Sequence, residues 1–204
     1  MRYILAILLS LSLSLTSTAW AATPTHDASS NSGVKNNQSS TPAYSHTAGT
    51  LTNGIAIIRV TSQDGTGTIS GVTYNGAAAT QVPSASPKAT GQATVVASLW
   101  YYLNPPAGSS AVVATFSESM NSHIVSVSTY SNVNQGTPLG TGSSTADFDI
   151  VAASEARTTV TSAVGELVVG IAAFATTTNT PTTSQTLRAA VLDSTNHSHC
   201  GIDA

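Results

Sequence analysis

The sequence predicts an all-β protein, a two-sheet antiparallel β-sandwich of jelly-roll type with about 9–10 strands. Three observations carry that prediction. Of the 204 residues, 30 are Ser and 31 are Thr, against 7% charged and 5% aromatic. Small polar and β-branched residues in that proportion suit the faces of many short strands. Short apolar runs alternate with Gly, Pro and Asn turn residues along most of the chain. No window keeps helical spacing of its apolar residues for more than two turns.

The chain divides into three parts. Residues 1–21 read as a signal peptide, with Arg2 as the positive end, an apolar run from Ile4 to Leu15, and Ala19-Trp20-Ala21 as a small-x-small cleavage site. Residues 22–43 are Thr, Ser, Asn, Pro and Gly with almost nothing apolar, so they read as a disordered linker. Residues 44–204 form the sandwich domain. The mature chain should be secreted and soluble, because no second apolar run reaches membrane length.

Within the domain the expected strands follow the turns. Ile55–Ser62 comes after Asn53-Gly54, and Ile69–Tyr74 and Ala77–Val82 flank Asn75-Gly76, a strong hairpin signal. Thr94–Leu103 is the longest run and stops at Asn104-Pro105-Pro106-Ala107-Gly108. Ala111–Phe116, with Val112, Ala114 and Phe116 on one face, is followed by His123–Tyr130, with Val125 and Val127 opposite Ser126 and Ser128. Ala146–Val151, Thr158–Thr161, Glu166–Phe174 and Thr186–Leu192 complete the set. The run Leu167–Phe174 is apolar on both faces and reads as a central strand covered on both sides, or one whose outer face meets a partner. Ile57, Val72, Leu99, Val112 or Val113, Val127, Val169 and Ile171 are expected in the core.

The tail is read differently. Asp193 to Ala204 shows no alternation long enough to cross a sheet, so the domain is expected to lack its last strand or strands. An uncovered sheet edge would then invite self-association by strand addition.

Val72-Thr73-Tyr74-Asn75-Gly76, Leu99-Trp100-Tyr101-Tyr102-Leu103-Asn104-Pro105-Pro106-Ala107-Gly108, Thr137-Pro138-Leu139-Gly140 and Gly165-Glu166-Leu167-Val168-Val169-Gly170 occur in this order. Together they resemble an uncharacterised module of secreted bacterial proteins with a jelly-roll or concanavalin-like β-sandwich. The likeness runs from about Tyr44 to the last residues. It implies a fold and an extracellular location, and no established activity.

Composition also narrows the chemistry. Six Lys and Arg against nine Asp and Glu give a formal charge of −3, too few cations for a nucleic-acid footprint. There is no Gly-x-Ser-x-Gly elbow. The acids are scattered except for Asp147-x-Asp149, one pair where a calcium loop needs six to eight oxygens. His197-Ser198-His199-Cys200 alternates two imidazoles beside the single Cys, but no second cluster completes a zinc or copper site. No catalytic set, metal or cofactor is expected.

One face draws attention as a ligand site. If Val95, Ala97, Leu99, Tyr101 and Leu103 face the core, then Val96, Trp100 and Tyr102 share the opposite face. Exposed rings there could stack on sugars, whereas in the other register they would be core. The expected function is a non-catalytic extracellular structural or adhesive module. The alternative is a carbohydrate-binding module using Trp100 and Tyr102. Polysaccharide or other cell-surface components are the expected partners, with neither nucleic acid nor membrane.

Overall fold

The computed structural model describes residues 22–63, 67–83, 88–89, 95–140, 162–174, 186–192 and 198–203. Residues 1–21, with the expected signal peptide, lie outside them, as do the expected strands at 146–151 and 158–161 and the pair Asp147 and Asp149. The described residues are all β, without helix, and every strand pairing is antiparallel. No helix among them is long and apolar enough to cross a membrane.

In chain order the strands are β1 (Thr25–Asn31), β2 (Lys35–Ser40), β3 (Tyr44–Ala48), β4 (Ile55–Gln63), β5 (Ile69–Tyr74), β6 (Ala77–Ala78), β7 (Thr80–Gln81) and β8 (Lys88–Ala89). They continue with β9 (Val95–Leu103), β10 (Gly108–Ser131), β11 (Val169–Phe174), β12 (Thr186–Leu192) and β13 (Ser198–Asp203). They form a 10-stranded sheet and a 3-stranded sheet ordered β11-β13-β12.

The spine is β10, a single strand of 24 residues where two strands were expected. Nothing between Phe116 and His123 breaks it: Ser109–Ser131 contains neither Gly nor Pro. Along one edge it pairs with β3, β2 and β1 in turn, and along the other with β5 and β4. Register shifts near Thr115 mark the bend that a bulge produces.

The bend lets the large sheet curl until it nearly closes into a barrel. Its path runs β6-β5-β10-β4-β9-β7, so both ends fall in the short segment Ala77–Gln81. Ala79 N–H donates to Val72 O on one side and Val82 N–H to Leu99 O on the other. The turn leading there is tight, with Asn75 at φ 50° and Gly76 at φ 79°. Positive φ at both central residues is what an Asn-Gly hairpin supplies.

The barrel interior holds an apolar cluster: Ile58, Val60, Val72, Val112, Val125 and Val127 are buried in it, together with Trp100 and Met120. Of the expected core residues, Ile57, Val72, Val112 and Val127 are buried, while Leu99, Val113, Val169 and Ile171 are half-buried. Strand β4 is covered on both faces. Ala56, Ile58 and Val60 enter the barrel, while Ile55 and Ile57 join Tyr130 in a second cluster against Leu99, Tyr101, Leu167 and Val169. The small sheet thus packs on the outer face of β4 and β9.

Two expectations are corrected. Residues 22–43 are not a linker: β1 and β2 run along β10, with Ser29 opposite Ser128 and Ser30 opposite Val127. The composition argument weighed apolar area alone, whereas these strands are held by backbone pairing and hydroxyl contacts such as Ser29 Oγ to Ser128 Oγ at 2.9 Å. The tail is also structured. Ser198–Asp203 is the central strand of the small sheet, paired with β11 on one side and β12 on the other. Six residues suffice because both neighbours complete its backbone hydrogen bonds.

Candidate functional site

The long spine carries polar clusters on both faces of its second half. On the inward face, Thr129 meets side chains from β1 and β3. Thr129 Oγ1 donates to Asp27 Oδ2 at 2.8 Å, and the same carboxylate oxygen accepts Gly49 N–H at 2.9 Å. With its proton committed to Asp27, Thr129 accepts from His46 Nε2 at 3.3 Å. His46 Nδ1 is then the acceptor for Ser30 Oγ, 2.7 Å away. The relay Ser30–His46–Thr129–Asp27 thus points every proton toward the carboxylate.

Burial pushes the His46 pKa below its ordinary value, opposed by the Asp27 charge, which fits the neutral ring that the relay requires. The direction is that in which a base draws a proton from a serine, with a threonine standing between imidazole and carboxylate. The ring has 0% exposure and meets Tyr74 edge-on at 6.3 Å, so the imidazole is part of the barrel wall.

On the outward face a second network joins the two sheets. Arg59 is fully buried; its Nε donates to Gly170 O at 2.9 Å, Nη2 to Ile202 O at 3.3 Å and Nη1 to Ser128 Oγ at 2.8 Å. One guanidinium therefore binds two strands of the small sheet, β11 and β13, through neutral acceptors. Beside it, His199 sits between Thr61 Oγ1 at 3.0 Å and Ser126 Oγ at 2.8 Å. Asp203 accepts Tyr130 OH at 3.1 Å and the Arg188 Nε at 2.7 Å and 2.8 Å on its two oxygens. At the rim, His26 Nε2 and Ser29 Oγ are 2.8 Å apart, and the His26 ring meets Tyr130 edge-on at 5.5 Å. Burial and the charge of Arg188 hold His26 below its ordinary pKa.

The sequence-predicted ligand face is placed otherwise than a sugar platform requires. The split of β9 into two faces holds, but both are covered. Trp100 is 7% exposed inside the barrel, its indole N–H bonded to Ser98 Oγ. Tyr102 is half-buried and stacks on Tyr74 at 5.3 Å with planes 20° apart. The reason is the curl of the sheet, which brings β5 over the face that a flat sheet would leave open. Of the tail ligands, His199 serves the inter-sheet network, and His197 lies outside the described residues. No group of three metal-ligating side chains assembles among the described residues.

A polar groove of about 380 Å³ runs over β2, lined by Asn37, Gln38, Ser39, Ser40, Pro42 and Ser119. Sequence reasoning missed both networks. Asp27, Ser30 and His26 lie in the stretch read as linker, and a single Arg inside Ile55–Ser62 was the one available signal of a buried charge. No family model, curated protein or solved structure matches the chain.

Proposed function

We propose that the chain is a non-catalytic extracellular structural or adhesive module, a variant of the two-sheet, jelly-roll-like sandwich in which one sheet has curled almost closed. The observation that carries this reading is the use made of its few chemically capable side chains. His46, Arg59, His199 and Asp203 are all buried and spend their hydrogen bonds on joining strands and sheets. The Arg2-led apolar run ending in Ala19-Trp20-Ala21 supports export. A sugar-stacking role for Trp100 and Tyr102 has no exposed indole to rest on. The hydroxyl and amide surface around β2 is the better contact for neutral cell-surface polysaccharide.

The test is retention of purified chain on immobilised bacterial surface polysaccharides, run beside an ester, glycoside and peptide turnover panel. An adhesive module is retained saturably, and Ser30→Ala is retained equally. Turnover that disappears in Ser30→Ala would overturn the reading and make the inward relay a catalytic one.

A further inference from the structure

We propose that the polar seam between the two sheets is an acid-labile latch: as pH falls below neutral, the β11–β13–β12 sheet releases from the barrel while the barrel stays folded. The polar groups that face one another there come from five strands. Arg59 on β4 and Arg188 on β12 contribute two cations, and Asp203 on β13 is the carboxylate that both Arg188 and Tyr130 of β10 hold. His26 on β1 is wired to Arg59 through Ser29 and Ser128. His199 on β13 lies between β4 and β10, on the seam that Arg59 crosses.

Every proton added to this group acts in the same direction. A proton on either imidazole places a further cation on the seam that the Arg59 and Arg188 guanidiniums already share. Asp27, also on β1, opposes this at His26 but is itself bonded to Thr129 and Gly49 on the inward side. The Arg188 charge, which leaves with the small sheet, lowers the His26 pKa more than the departing Asp203 raises it. The released barrel therefore binds the proton more tightly, and docking free energy is lost as pH falls toward the lowered value. Release uncovers Ile55, Ile57, Leu99 and Tyr101, an apolar face of the barrel. The barrel has its own apolar cluster, and at its wall His46 has the Asp27 carboxylate to oppose a proton's cost.

Hydrogen exchange of the full chain, corrected for intrinsic rates, tests the latch between about pH 7.5 and 4.5. Amides of residues 169–174 and 198–203 should lose at least about tenfold in protection while those of β10 keep theirs. Joint loss in one transition, or unchanged protection at both, would overturn the proposal. The His26→Gln variant, altered only at the rim, should move the release midpoint to lower pH. An unmoved midpoint in His26→Gln would sink the charge mechanism even if the sheet does release.

Discussion

The barrel interior and the inter-sheet seam hold the molecule together by opposite means. Inside the barrel, Ile58, Val60, Val112, Val125 and Val127 pack with Trp100 in a cluster whose strength is area removed from water, which is strong and indifferent to direction. Across the seam, a buried guanidinium, one imidazole and a carboxylate meet through directed hydrogen bonds, with a smaller apolar cluster beside them. Desolvating those charges offsets much of what their contacts gain. The difference teaches that the seam contributes orientation, since Arg59 can reach Gly170 O and Ile202 O together only in one placement of the small sheet. Stability resides mainly in the barrel.

The largest effect should come from the barrel. Trp100→Ala should cost about 3–5 kcal/mol, the range for emptying a buried aromatic site, read as a lower denaturant midpoint at unchanged slope. A cost below about 1 kcal/mol would mean that the ring is not core. Arg59→Ala comes next, at about 2–4 kcal/mol, because it strips a buried donor from two backbone carbonyls and leaves a void. Its signature is local: exchange should rise in β11 and β13 before it rises in β5 or β10. Uniform loosening of all strands would erase the distinction between the regions.

These contrasts show which parts of the fold were legible. Alternation marked Val112, Ala114 and Phe116 as one buried face, and β10 buries all three. Asn75-Gly76 announced its hairpin through backbone preference alone. What the pattern could not convey was curvature. Trp100 and Tyr102 were assigned to a common face, yet whether that face meets solvent depends on a bend near Thr115 in another strand. The networks were hidden for a related reason. Ser29, Ser30, Ser126 and Ser128 look like solvated positions until β1 is known to pair with β10. A hydroxyl has no periodicity signal that separates a buried hydrogen-bond partner from a surface residue.

The two smallest effects come from a pair of glycines. At Gly201 a methyl group would stand 2.7 Å from Arg59 Cδ and 3.0 Å from Nε, beneath the guanidinium that spans the seam. Gly201→Ala should therefore cost about 1–2 kcal/mol through forced displacement, again with exchange rising in the small sheet. Gly76 has φ +79° and nothing within 4 Å of its would-be methyl group. Gly76→Ala there meets only the backbone penalty of the left-handed region, about 1 kcal/mol, and should leave the small sheet's exchange untouched. Equal losses, with the same exchange pattern, would show that close packing under Arg59 does not set the seam apart. A larger loss at Gly201, confined to the small sheet, would locate the tight directional contact where the guanidinium lies across β13.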